Sequence, residues 1–373
     1  MAAKPSNEAA WLKSGSKALE IGPAPYTTPS KGQLVVKVHV IALNPIDCSI
    51  PIIAGIAFPW LKYPLIMGTD ISGTVVELGE DVTRFHVGDR VVAMAQGYDK
   101  DATGSPEGAF QHYVVIRERF CSPVPETISF ADASVTPLGG ATAFSGLFGK
   151  EYCALQYPTV PAKSNGESFL VWGGSTSVGC NAIQFAVAAG YQVITTASPK
   201  NFELVKSLGA SHAFDYRSPT VNEDITAILK DTKCAGAIAI GEGSAAPCMD
   251  IISAVPSSVG RKFVAQASTP GGPPMKGGLA MVGFVVNLQI TNASLAIKSR
   301  IRGVSTKFVV SQASDVSLWN ALYESFLPVA LAKGAFQPAP ATEIHGKGLG
   351  AITSGLERLK SGVSAKKLVI TLE

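Results

Sequence analysis

Apolar and polar positions alternate from Gln33 to Leu43 (QLVVKVHVIAL), which predicts a strand with one buried face. Shorter runs at Gly73–Val76, Arg90–Ala93 and Ala109–Ile116 predict further strands, punctuated by Gly79, Gly88-Asp89 and Gly108. The first 137 residues therefore predict a small antiparallel barrel. Beyond Pro137 the period changes. An apolar run at Phe169–Trp172 breaks at Gly173-Gly174, and a helical pattern follows through Val178, Ala182, Phe185, Ala186 and Ala189, closed by Gly190. A second apolar run, Val193–Thr196, completes a strand–turn–helix–strand unit of the dinucleotide-binding kind. Core strands are predicted again at Ala235–Ile240, Lys262–Ala265 and Ile301–Ser305, and a helix from about Val316 to Lys333. The last run, Lys367–Leu372, reads as a strand that returns to the first domain. Gly271 to Gly278, rich in glycine and proline, reads as a surface loop.

The glycine turn carries the first chemistry. Gly174 suits the tight reversal from strand to helix, and Gly179 suits close packing of that helix on the strand. The helix start then offers unpaired N–H groups to a pyrophosphate. The middle glycine of G-x-G-x-x-G is replaced by Thr176, so the motif alone also fits a glycine turn in an unrelated α/β protein. The end of the second strand adds a preference. A site for the unphosphorylated nucleotide usually places Asp or Glu there. This chain has Ala197-Ser198-Pro199-Lys200, a hydroxyl followed by a cation, which accommodates a 2′-phosphate, and Tyr216 adds a phenolic donor. The cofactor expected is NADPH; Lys200 by itself reads equally well as a solvated surface lysine.

Composition narrows the class without naming the chemistry. At 373 residues the chain is long enough for two cores, and 46% hydrophobic against 16% charged residues describes a globular protein. A net charge of +3 with no basic run argues against a nucleic-acid partner. Cys48, Cys121, Cys153, Cys180, Cys234 and Cys248 form no CxxC pair, which fits free thiols in a reducing compartment. The opening MAAKPSNEAAW has no apolar signal core. The most apolar segment, Ile50–Met67, is broken by Pro51, Pro59, Lys62 and Pro64, so no membrane helix is expected and a cytoplasmic location is.

Several motifs in order resemble one family. Asn44-Pro45-Ile46-Asp47, MGTDISGTVVELGEDVTRFHVGDRV from Met67, GAFQHYVV from Gly108, PLGGATAF from Pro137, the glycine turn and Phe214-Asp215-Tyr216 together resemble the medium-chain dehydrogenase/reductase superfamily over nearly the whole chain. The stretch SPKNFELVKSLGASHAFDY resembles the fungal branch that includes trans-acting enoyl reductases of polyketide synthesis and toxin-cluster relatives. The resemblance implies an α/β fold: a GroES-like β-barrel catalytic domain over 1–137, completed by about 312–373, and a Rossmann doubly wound parallel-sheet domain over 138–311. Zinc alcohol dehydrogenases of the superfamily hold their metal with Cys, His and Cys. The matching positions here are Asn44, Thr69 and Leu138, and the segment Gln96–Gly108 lacks the four cysteines of a structural zinc lobe. No metal is therefore expected, and the zinc-independent quinone/enoyl reductase branch is.

By the same resemblance Asn44, Asp47 and Thr142 are candidate catalytic residues. Pro45, Gly174, Ser175, Thr176, Ser177, Val178, Ser198, Lys200, Asn201, Tyr216, Ala265, Phe308, Val309, Ser364 and Ala365 are candidates for binding the cofactor. Asn44 reads equally well as a turn-stabilising residue before Pro45, and Asp47 as a helix-capping carboxylate. Ser49 stands where some enoyl reductases carry a lysine. Phe58, Trp60 and Tyr63 follow the Asn44 motif and suggest a wall for a hydrophobic small-molecule substrate; barrel packing is the alternative. The expected activity is reduction of an activated C=C bond (enone, enal or enoyl thioester) or of a quinone. A zinc alcohol dehydrogenase and a non-catalytic NADPH-binding protein are the alternatives. A homodimer and a polyketide synthase partner are both compatible with the resemblance.

Overall fold

The computed structural model of the chain describes residues 5–14, 18–256, 262–268 and 278–373, and these divide into two compact units. One is built from Met1–Leu138, Tyr323–Gly334 and Pro338–Glu373, the other from Gly139–Leu322 and Ala335–Gln337.

The first unit opens with two paired strands, β1 (Asn7–Leu12) and β2 (Leu19–Ala24). The long alternating run forms β3 (Gln33–Ala42), and two-residue β4 (Leu65–Ile66) joins β1. β5 (Asp70–Leu78), β6 (Arg90–Met94), β7 (Tyr113–Arg117) and β8 (Cys121–Pro123) follow. β3 pairs antiparallel with both β5 and β7, with Val36 opposite Val75 and Val114. That register stacks Leu34, Val36, Val38, Ile71, Val75 and Val114 into one apolar core, which drives closure of the sheet. The run Ala109–Ile116 is not one strand. The Phe110 carbonyl accepts Ala10 N–H and its own N–H goes to Met67 O, so 109–111 pair away from β3; His112 O already accepts Val38 N–H, and the strand proper begins at Tyr113.

The second unit is a parallel sheet. β9 (Glu167–Trp172), β10 (Gln192–Ala197), β11 (Ala210–Asp215), β12 (Lys233–Ala239), β13 (Lys262–Gln266) and β14 (Val304–Phe308) lie in the order β11-β10-β9-β12-β13-β14. The order reverses about β9, which makes the sheet doubly wound and puts a switch point at the end of β9. The strand predicted at Ile301–Ser305 starts three residues later. A helix over Gly278–Arg302 takes Ile301 and Arg302, and Gly303, at φ +63°, ends it. That helix escaped the apolar pattern because Val282, Val286, Ile290, Ile297 and Ile301 are exposed, so no buried stripe marks it. The glycine- and proline-rich stretch 271–277 lies outside the described residues.

The chain then returns to the first unit. The helix expected over Val316–Lys333 is interrupted by a π-helical turn at Asn320–Phe326, one residue short of Pro328, which has no N–H to give. β15 (Ala341–Lys347) and β16 (Lys366–Thr371) close the barrel sheet, β16 pairing antiparallel with β3, Ile370 opposite Ile41. The mixed α/β class and the barrel-plus-parallel-sheet architecture match the sequence reading.

Candidate active site

The glycine turn at the end of β9 leads into helix α1 (Ser177–Ala188) of the parallel-sheet unit. Positive φ falls on Gly173 (+87°) rather than on Gly174. Gly174 is needed for space: a Cβ there would sit 2.1 Å from Thr195 Oγ1. At Gly179 it would sit 2.2 Å from Gly173 O, so helix and turn touch backbone to backbone. Thr176, in place of the middle glycine, is the N-cap of the helix, its hydroxyl accepting Gly179 N–H at 3.0 Å. Ser177 Oγ is buried without a hydrogen-bond partner. An orphan hydroxyl beside the free N–H groups of a helix start, with glycines clearing the approach, fits a phosphate. Ser175 and Val178 share this turn.

Parallel register brings the next candidates together. Ser198, Lys200 and Asn201 follow the end of β10, and Tyr216 follows the end of β11, where Ala197 lies opposite Asp215. The sheet thus delivers a carboxylate to the place where the sequence lacks one along its own strand. Arg217 answers it: Nε and Nη2 donate to Asp215 at 3.1 and 3.3 Å, and hold the carboxyl below the ordinary carboxylate range. Arg217 also lies 5.5 Å from the Tyr216 ring centre. Asp215 enters the sequence reading only within the Phe214-Asp215-Tyr216 motif and Arg217 not at all; that the end of β11 lies beside the end of β10 follows from strand order, which no local pattern reports.

Ala265 and Val309 are buried at the ends of β13 and β14, tied by Val309 N–H to Gln266 O at 2.8 Å, whereas Phe308 is exposed. Thr142 sits on a helix over Pro137–Phe148. A Cβ on Gly139 of that helix would lie 2.5 Å from Ser177 Oγ, so its first turn abuts the glycine turn.

Asn44, Pro45, Asp47, Ser364 and Ala365 belong to the barrel unit. Asn44 is the N-cap of a helix over Pro45–Ala57 and forms a capping box with Asp47. Its Nδ2 donates to Thr69 Oγ1 at 3.1 Å and to Asp70 Oδ2 at 2.9 Å, and its Oδ1 accepts from Lys367 Nζ at 2.5 Å. Asp47, fully buried, accepts Asn44 N–H at 2.8 Å and the Tyr98 hydroxyl at 3.1 Å. Burial above all, then the nearby Asp70 charge, raises its carboxyl to about 7, against the pull of Asn44 N–H, Tyr98 and Lys367. Ser364 and Ala365 immediately precede β16, with Ala365 at φ +51°. Ser49 is spent on a bond back to Pro45 O. Among the described residues no group of three or more His, Cys, Asp or Glu side chains is disposed to hold a metal ion. All six cysteines are free thiols.

The aromatic segment is partly open. Trp60 and Tyr63 are 43% and 38% exposed, Phe58 packs edge-on to Trp60, and the Trp60 indole donates to Tyr98 O at 3.0 Å. Among the described residues no helix is long and apolar enough to cross a membrane.

Residues 30–126 match the alcohol dehydrogenase GroES-like domain. A barrel of that kind joined in one chain to a doubly wound sheet with a phosphate-type glycine turn defines an oxidoreductase of the dehydrogenase/reductase class. The chain is 45% identical over 372 residues to the dehydrogenase pigH of Monascus ruber, covering 99% of this chain and all of that one. It is 33% identical to the trans-enoyl reductase himH of Aspergillus japonicus, covering 98% and 97%. The CurK enoyl reductase structure shares the fold, with a TM-score of 0.70 at 20% identity over 98% of this chain and 99% of that one. The chain belongs to the medium-chain dehydrogenase/reductase superfamily, in the group that contains fungal dehydrogenases and trans-enoyl reductases.

Proposed function

We propose that the chain is an NADPH-dependent reductase of activated C=C bonds or quinones that works without zinc. The observation that carries the reading is the cluster around Asp70. The three positions that bear metal ligands in zinc alcohol dehydrogenases hold an amide, a hydroxyl and a leucine, and all three hydrogen-bond directly to the Asp70 carboxylate. A site so arranged offers no Lewis acid to ionise an alcohol. Reduction of a conjugated carbonyl or quinone needs only a hydride and donors for the developing oxyanion. Bound, a dihydronicotinamide supplies that hydride.

The chain's own residues divide the remaining work. Ser175, Thr176, Ser177 and Val178 hold the pyrophosphate at the helix start. Ser198, Lys200, Asn201 and Tyr216 receive the 2′-phosphate, and Arg217 removes the repulsion that Asp215 would otherwise exert. Ala265, Phe308 and Val309 of the sheet unit bind the nicotinamide half, and Thr142 lies beside it; for Pro45, Ser364 and Ala365 of the barrel unit the same role is what the family resemblance implies. Asn44 and Asp47 act by shape, since their polar atoms are turned onto Thr69, Asp70, Tyr98 and Lys367. Relatives named trans-enoyl reductases support an enoyl substrate, and a polyketide synthase partner is what the sequence resemblance implies.

The test is direct. NADPH absorbance is followed with a quinone, an enal and an enoyl thioester, beside NADH controls and metal analysis of the purified chain. Turnover of one acceptor with NADPH and without stoichiometric zinc is expected. Binding of NADPH with no turnover of any acceptor would favour a nucleotide-binding protein instead.

A further inference from the structure

Lys367, the second residue of β16, is 5% exposed, and Asp70 is fully buried. The ammonium donates to Asp70 Oδ2 at 3.1 Å and to Asn44 Oδ1 at 2.5 Å. An ammonium only donates and a carboxylate only accepts. The Asn44 amide, wedged between them, has one orientation left: Oδ1 toward Lys367, Nδ2 toward Asp70 and Thr69. Asp70 Oδ1 in turn accepts Leu138 N–H at 2.8 Å and the Thr69 hydroxyl at 3.3 Å.

Three segments distant in sequence, at Asn44, Thr69-Asp70 and Leu138, thus converge on one carboxylate. A buried carboxylate is tolerated only with its charge compensated. Lys367 is the cation that directly pairs with it. Its anchoring also pins the start of β16, two residues after Ala365, a non-glycine residue at φ +51° that such fixation helps to hold.

The geometry points to Lys367 as a positioning residue. It is an internal ammonium that takes up the electrostatic role a metal ion fills at these positions in zinc alcohol dehydrogenases. It orients the Asn44 amide and ties 44–47, 69–70, 138 and 364–365 into one wall. The catalytic consequence rests on the reductase reading above; the structural role does not.

Lys367→Met, Lys367→Arg and the charge-balanced pair Lys367→Met/Asp70→Asn are compared with the parent by amide hydrogen exchange and steady-state kinetics. The double variant guards against loss of the fold, because it strands no buried charge. Exchange over 43–47, 68–70 and 137–139 should speed up roughly tenfold in both Met variants and stay near the parent rate over 173–179. kcat with an enone should fall about 100-fold at unchanged KM for NADPH, and the arginine variant should recover much of both losses. Parental exchange and kcat in the folded double variant would overturn the assignment. So would equal losses in all three variants, because a merely space-filling role would not distinguish arginine from methionine. If the parent reduces no acceptor, the reductase reading fails, and the exchange data alone decide the role of Lys367.

Discussion

Tyr98 donates its hydroxyl to Asp47 Oδ1 at 3.1 Å, and the same hydroxyl oxygen receives Gly68 N–H at 2.8 Å. The pair joins a fully buried carboxyl to a residue whose carbonyl holds the partly open Trp60. Asp70 and Lys367 are the charged groups that act on Asp47, with opposite signs. Desolvation dominates, so Asp47 keeps its proton far above the pH at which an exposed aspartate loses it.

Stability should therefore depend on pH through Asp47. The unfolded carboxyl titrates near 3.8 and the folded one near 7, so between these values the folded state binds more protons. The contribution is whole below about pH 4 and is lost as the pH rises through about 7, on the order of a few kcal/mol. Urea denaturation of Asp47→Asn against the parent should show the variant gaining relative stability from pH 4.5 to 7.5. A difference independent of pH would show that Asp47 ionises normally.

Cofactor preference should follow the ends of β10 and β11. Ser198→Asp should shift preference from NADPH toward NADH, by roughly 100-fold in the ratio of kcat/KM values. Arg217→Met leaves Asp215 unpaired, and should weaken 2′,5′-ADP about tenfold in calorimetry while leaving 5′-AMP unchanged. Equal weakening of both nucleotides would place the 2′-phosphate elsewhere.

Gly179→Ala should damage the glycine turn. The added methyl would meet backbone at 2.2 Å, and nothing there is a flexible side-chain end. A loss of roughly 1–3 kcal/mol with abolished 2′,5′-ADP binding is expected, read by thermal melting and calorimetry. Gly55→Ala is the control: its Cβ meets nothing within 4 Å in the helix over Pro45–Ala57, and should be neutral or stabilising by about 0.5–1 kcal/mol.

Trp60→Ala should raise KM for a long-chain enone more than for a short one, because an exposed aromatic edge adds contact only to a chain long enough to reach it. The same factor for both substrates would make Trp60 a packing residue for Phe58 and Tyr98 alone.

Much of this protein is written locally. The alternation in Gln33–Leu43, the break at Gly173-Gly174 and the periodic run to Gly190 each follow from the preferences of neighbouring residues, and each appears as an element of the fold. Local pattern misled where tertiary partners won. Ala109 bonds to Gly68 and Phe110 to Met67 and Ala10 instead of extending β7, and an exposed apolar helix over Gly278–Arg302 shows no buried stripe to read.

The sequence by itself determined the barrel strand, the glycine turn, the hydroxyl and cation after β10, and the absence of soft metal ligands at 44, 69 and 138. These depend on residue type at a given position. Only the tertiary structure decided that Lys367 would neutralise Asp70, 297 positions away, and turn the Asn44 amide, 323 positions away. It alone also set Asp215 beside Ala197 and put the left-handed residue of the turn at Gly173. The reason is physical: charge pairing in a core and register between parallel strands are set by which segments the fold brings together, and chain order does not carry that distance.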